Sequence, residues 1–288
     1  MKKKHIAAAL IFCLLLSAIA IRKTWKYYGL TTEQTPYTCL HHQDDTLRLA
    51  IIGDSWAHLH QPHDSLLQQA ISKQTGRPVK VSSYGLCGQT SKEVYLSMFN
   101  NEGLRRLLSE GADYCFISVG INDTYKKTGA NYFAQHTCMI LRFLLQNGIA
   151  PILLEIPDYD IAYTYEHQTL RKKLLRQLSM VITGSALDCR EDYRQALRRK
   201  IEARRLKDSI ILIANQHWDM SLYITDRMHL NSRGYQVLDS IIANQLQVCT
   251  AQPFPSYHRT SASHNRAAAP SHVGEGAAAH EKRYRKQM

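Results

Sequence analysis

The run Leu49-Ala50-Ile51-Ile52, halted by Gly53-Asp54-Ser55, limits the fold more than any other stretch of the chain. Four consecutive apolar residues, with Leu47 just ahead of them, lack the in–out alternation of a half-solvated sheet. Such a strand is covered on both faces, as strands are in a parallel sheet between layers of helices. The glycine permits a sharp exit and leaves Ser55 at the strand's carboxyl end, where open α/β sheets gather their sites. A serine there is either a nucleophile or, with Asp54, a cap for the next helix.

Four more short runs of this kind follow, at 78–83, 114–119, 152–156 and 208–213. Helical patterning fills the intervals near 62–75, 91–99, 102–110, 131–147, 166–182, 190–206 and 232–247. Strands alternating with helices predict one α/β domain: three layers, a central parallel sheet of about five strands, and right-handed crossovers. We place that domain at 46–250, with no internal repeat and no second domain.

The net charge of +12 raises the question of nucleic acid, and its location answers it. Residues 1–30 hold six Lys/Arg and no acid, and 251–288 hold six against two Glu, which leaves +2 for 31–250. A nearly neutral folded part does not support a nucleic-acid-binding face. At the N-terminus, Lys2-Lys3-Lys4 precedes an apolar run from Ile6 to Ile21, with Trp25, Tyr27 and Tyr28 beyond it. We expect residues 1–30 to be an uncleaved signal-anchor that exports the domain, with the aromatics as an interfacial belt. A signal peptide cut after Ala18-Ile19-Ala20 is the alternative. Residues 31–45 then read as a polar linker, and 251–288, poor in apolar periodicity, as a disordered basic tail. The seven cysteines contain no C-x-x-C pair, so no zinc or redox motif is present, and no cofactor or metal is expected.

The informative loops follow predicted strands or precede helices. They are Gly53-Asp54-Ser55, Gly88-Gln89-Thr90-Ser91, Gly120-Ile121-Asn122-Asp123 and Asp226-Arg227-Met228-His229. Taken singly, Asp226 and His229 suit a helix start as well as a base with its orienting carboxylate, and Asn122-Asp123 suits an ordinary turn. In order and setting, the four blocks resemble those of the SGNH (GDSL-type) hydrolases, serine esterases and lipases with a flavodoxin-like fold. The resemblance covers about 47–247. It implies Ser55 as nucleophile, His229 as general base and Asp226 as the group that orients the imidazole. It also implies an oxyanion hole formed by the backbone N–H groups of Ser55 and Gly88 and the side-chain amide of Asn122. The chain departs from the pattern at Trp56, where leucine is usual, and at Ser83, where an asparagine is often found. No G-x-S-x-G elbow occurs, so the α/β-hydrolase alternative loses its main marker.

We therefore expect a membrane-tethered or secreted serine esterase, outside the cytoplasm, that removes small acyl groups, acetyl first, from a carbohydrate. Trp56, Tyr159 and Trp218 are candidate substrate contacts, because flat rings among polar residues such as Asp158, Asn215 and His217 suit a sugar. The competing readings are an O-acyltransferase acting on envelope polysaccharide, a lipid esterase or thioesterase, and a catalytically silent glycan-binding module. His58, His60 and His63 read as local polar contacts or substrate contacts rather than metal ligands. The basic run Arg194, Arg198, Arg199, Arg204 and Arg205 reads as a solvated helix face.

Overall fold

Five parallel strands, all at least partly buried in apolar surroundings, form the spine of the computed structural model, which describes residues 2–28, 31–215 and 218–251. In chain order these begin with helix α1 (Lys2–Tyr28), strand β1 (Leu47–Gly53), helix α2 (Ser55–His60) and helix α3 (Asp64–Thr75). Strand β2 (Val79–Gly85), helices α4 (Ser91–Asn100) and α5 (Glu102–Ser109), and strand β3 (Tyr114–Ser118) follow. Helices α6 (Ile121–Lys126) and α7 (Ala130–Gln146) lead to strand β4 (Ala150–Leu154). The chain continues through α8 (Ile161–Glu166), α9 (Leu170–Thr183) and α10 (Arg190–Ala203) to strand β5 (Ile211–Ile213) and helix α11 (Ser232–Ala251).

The sheet order is β2-β1-β3-β4-β5. The chain passes from β1 outward to β2 and returns across β1 to β3, so the order reverses between β1 and β3. Clefts at such switch points, beyond the carboxyl ends of the strands, are where doubly wound sheets place ligands. The central strands behave as their sequences require: Ile51, Ile52, Phe116, Ile117, Ile152 and Leu153 are all buried. Strand β4 starts at Ala150, earlier than the apolar run suggests, and includes Pro151. The Ala150 N–H bonds to Asp113 O on the β3 side, so the imide nitrogen of Pro151 faces the other side. There β5 does not pair until Ile152, and no ladder bond is lost.

Three short helices escape the sequence reading: α2, α6 and α8 each span six residues, too few for a clear 3.6 period. The expected solvated face of the basic run needs correction at Arg194, which is buried and bonds to Ile156 O and Asp158. Arg198, Arg199 and Arg205 are exposed, and Arg198 still reaches Glu155 as a two-bond fork. Glu155 is completely buried at the end of β4, and a buried carboxylate needs such a partner.

Residues 31–45 form no helix or strand and are fastened along the domain. Gln34 N–H donates to Tyr95 Oη at 2.8 Å, Cys39 N–H to Asn147 Oδ1 at 2.9 Å and Leu40 N–H to Ser109 O at 3.0 Å. The Thr31 hydroxyl lies 2.9 Å from His136 Nε2. Helix α1 contains an 18-residue window, His5–Arg22, of mean hydropathy 2.2, long and apolar enough to cross a membrane. The expected tail at 251–288, the aromatic belt side chains, and His217 fall outside the described residues or side chains.

Candidate active site

Strand β1 ends where a side chain is impossible. Gly53 sits at φ +154°, and a Cβ there would meet Ser118 O of β3 at 2.0 Å. The close approach lets Asp54 N–H bond to Ser118 O and swings the chain directly into α2, whose first residue is Ser55. Asp54 caps this helix by accepting from Trp56 N–H at 3.0 Å. The cap and the nucleophile readings of the tripeptide therefore apply to different residues of it. As the first residue of a helix, Ser55 also has a backbone N–H with no intrahelical acceptor.

The structure brings Ser55, His229 and Asp226 together across 174 residues of sequence. Ser55 Oγ lies 2.8 Å from His229 Nε2, and His229 Nδ1 lies 2.6 Å from Asp226 Oδ2. The other Asp226 oxygen accepts the N–H groups of Met228 and His229 at 2.9 and 3.0 Å. Burial pushes this carboxyl up, but hydrogen bonds from the His229 ring and the two N–H groups outweigh it and hold it below its ordinary value. An ionised Asp226 requires a proton on Nδ1, which leaves the Nε2 lone pair to take the Ser55 hydroxyl proton.

The loop carrying this pair is held on several sides. Arg227 adopts the left-handed region at φ +53°. Its guanidinium pairs with Asp160 at 2.8 Å and lies over the Tyr163 ring at 4.2 Å. Ile224 N–H bonds to His229 O at 2.8 Å, and the Asn231 amide donates to Ser221 O and Tyr223 O. Trp56 Nε1–H donates to Met228 O at 3.1 Å, which ties the helix of Ser55 to the loop of His229.

Asn122 and Gly88 converge on the same end of the sheet. Asn122 Nδ2 donates one hydrogen to Asp54 Oδ2 at 3.1 Å, which orients the amide and leaves its second hydrogen unused by that contact. Asp54 is fully buried, and burial pushes its carboxyl up to about 7 against the hydrogen bonds from Trp56 and Asn122. Gly88 is exposed at φ +74°, and a Cβ there would meet nothing within 4 Å. Its glycine is thus required by conformation and not by crowding. Asp123, next to Asn122, accepts from the Ser91 N–H and hydroxyl, both at 2.8 Å, and so joins the Asn122 loop to the start of α4. Burial raises its carboxyl to about 6.

The sequence reading passed over Asp123 as a structural tie and treated Asp54 only as a cap. Their signal was the motif itself, since each carboxylate directly adjoins a residue proposed for catalysis. The three aromatic substrate candidates require correction. Trp56, Tyr159 and Trp218 are only 1%, 2% and 3% exposed. Trp56 packs edge-on against Trp218 and Tyr223, and Tyr159 lies beneath the Arg190 guanidinium. None presents a ring face on which a sugar would stack. Among the three clustered histidines, His60 is buried between Asp64 and Asp239, His63 stacks on Tyr235, and His58 is exposed.

A family model of GDSL-like lipases and acylhydrolases matches residues 51–237. No curated protein matches the sequence. Similar solved structures include a GDSL-like lipase from Bacteroides thetaiotaomicron at 17% identity, covering 70% of this chain and 88% of that one, with a TM-score of 0.44. An acetyl-xylooligosaccharide esterase from Geobacillus is similar at 12% identity, 69% and 94% coverage, and a TM-score of 0.47. A psychrotrophic esterase from Pseudoalteromonas is similar at 12% identity, 72% and 100% coverage, and a TM-score of 0.49.

Proposed function

The chain belongs to the GDSL-like lipase/acylhydrolase family, a hydrolase of the esterase and lipase type, and from that premise we propose a serine esterase tethered to a membrane outside the cytoplasm. Ser55 is its nucleophile, His229 its general base and Asp226 the carboxylate that fixes the imidazole tautomer. The observation that carries this reading is the continuous contact from Asp226 through His229 to Ser55 Oγ, at 2.6 and 2.8 Å.

The steps follow from the geometry. His229 Nε2 takes the hydroxyl proton as Ser55 Oγ attacks the ester carbonyl, and Asp226 stabilises the imidazolium that results. Negative charge on the carbonyl oxygen meets the N–H groups of Ser55 and Gly88 and the free amide hydrogen of Asn122. His229 then returns the proton to the leaving alcohol. Water, activated by the same nitrogen, releases the acid from the acyl-enzyme.

The proposed substrate is a small acyl ester, acetyl first, borne on a carbohydrate. Support for a small acyl group comes from the loop after β2, where Cys87 and Gly88 are exposed and Lys126 Nζ reaches Gly88 O. These residues offer no continuous aliphatic wall along which a long chain would lie. The carbohydrate part rests on the half-buried polar residues Asp158, Asp160 and Asn215 of the segments after β4 and β5, and no longer on the three buried rings. Export and tethering rest on the apolar window of α1 and the lysines ahead of that window.

The test has two parts. A fluorophosphonate probe should label the wild type and not Ser55→Ala, and labelling of the alanine variant would remove Ser55 from its role. Aryl esters of two to twelve carbons should show kcat/KM falling as the chain lengthens. A steady rise with length would replace the glycan ester with a lipid ester.

A further inference from the structure

Arg176, near the middle of α9, is 4% exposed, and none of its three guanidinium nitrogens has a hydrogen-bond partner among the described residues. The guanidinium lies over the Tyr125 ring at 4.7 Å, with the Tyr165 ring at 5.7 Å. Ring contacts of this kind hold a guanidinium in place but leave its in-plane N–H donors unused. Arginine keeps its charge when buried, so an unmatched guanidinium is strongly unfavourable unless an anion joins it.

The side chain lines a pocket of about 340 Å³. Leu175, Leu178 and Ile182 of α9 and Ile19 of α1 form the apolar wall, and Lys126 and Lys172 share the lining with Arg176. Among the described residues no carboxylate lines it. Helix α9 itself carries Arg171, Lys172, Lys173 and Arg176 and no acid. Its Leu170, Leu174 and Val181 are 72%, 56% and 80% exposed. Basic residues among exposed aliphatic ones are the signature of a helix lying at a bilayer surface.

We propose that this pocket binds the head of an anionic phospholipid, with Arg176 as the partner of its phosphate and the apolar wall covering the glycerol and first acyl carbons. A guanidinium matches phosphate oxygens with two parallel hydrogen bonds, which the stacked Arg176 is free to make. Free phosphate would leave the leucine and isoleucine wall uncovered. Ile19 adds the second tie to a membrane, because it lies within the span-length apolar window of α1. Lys126 Nζ also donates to Gly88 O at 2.5 Å, so the pocket is one side chain from the loop proposed for the oxyanion hole. The inference rests on the membrane tether of the preceding reading and is independent of Ser55 chemistry.

The test uses the full chain, purified in a non-ionic detergent, with equal amounts of phosphatidylglycerol and phosphatidylcholine, read by native mass spectrometry. Wild type and Ser55→Ala should both retain phosphatidylglycerol preferentially, which separates this site from the esterase reading. Arg176→Gln should reduce that retention about tenfold or more, as loss of charge-assisted hydrogen bonds requires. Ser179→Trp, which fills the pocket and keeps the arginine, should reduce it as well and serves if Arg176→Gln does not fold. Equal retention of the two lipids by the wild type, or undiminished retention by both variants, overturns the proposal. Inorganic phosphate that raises the melting temperature as much as the lipid does would overturn the lipid assignment too.

Discussion

Two histidines among the described residues face carboxylates, and the two pairings do different work. His229 meets one carboxylate, Asp226, through Nδ1, and its Nε2 faces the Ser55 hydroxyl. His60 meets two: Nδ1 lies 2.9 Å from Asp64 and Nε2 lies 2.7 Å from Asp239. One carboxylate fixes a tautomer and leaves a lone pair free for a proton. Two carboxylates make donors of both nitrogens, so the ring is held as a cation with no basic site left. Burial alone would lower the His60 pKa, but the hydrogen bonds to Asp239 and Asp64 outweigh it and push it up to about 9. His60 closes the helix that Ser55 opens, and its partners stand on α3 and α11. The fixed cation therefore pins the far end of the nucleophile's helix, while the other imidazole acts at the near end. The carboxylate count, more than the identity of the residue, separates scaffold from base.

Exchanging one carboxylate in each pair gives the largest expected contrast. Asp226→Asn keeps the shape but favours the tautomer with its proton on Nε2, and kcat should fall by as much as ~10⁴. Asp239→Asn should leave kcat within a few-fold of wild type and act on stability instead. Steady-state kinetics on an aryl acetate measures both, and comparable losses in kcat would break the distinction between them.

A smaller effect is expected at Asn122, which touches neither histidine. Asn122→Ala removes one donor from the developing oxyanion and should cost about 10²–10³ in kcat. It also removes a hydrogen bond from Asp54, whose buried carboxyl then keeps only the Trp56 N–H among the contacts seen here. A rise in KM with kcat unchanged would place the amide in ground-state binding rather than in the oxyanion hole.

The loops of the candidate site were legible in the sequence because each carries a local signal after a strand or ahead of a helix: Gly53-Asp54-Ser55, Gly88, Asn122, and Asp226 with His229. The sheet was legible because its central strands are uninterrupted apolar runs. Other features depended on partners remote in sequence. His60 meets Asp239 across 179 residues, and Arg198 meets Glu155 across 43. The ties of a basic helix face and of a histidine cluster show only once those carboxylates are placed. Trp56 was misread for another reason. An indole offers apolar area and one N–H whether it stacks on a ligand or fills a core, and only its contact with Met228 O decides between them.

The mildest expected effect, spread over a range of pH, tests the cationic state of His60. Its folded pKa, about 9, exceeds the unfolded value of about 6.5, so the folded protein binds the proton more tightly. The stabilisation is therefore fully present below about pH 6.5, and it is lost as pH rises through about 9. Its upper limit is on the order of 3 kcal/mol. Chemical unfolding at intervals from pH 6 to 10 should show stability declining across that window. In Asp239→Asn the ring keeps only Asp64, so its folded pKa falls and the decline should be shallower and finish at lower pH. Replacing His60 by glutamine, which stays neutral and still donates one hydrogen bond, should flatten this contribution further. A wild-type curve that is level from pH 6.5 to 9.5, or an Asp239→Asn curve of the same shape as wild type, would mean that His60 is neutral in the fold. The two histidines would then differ in position alone.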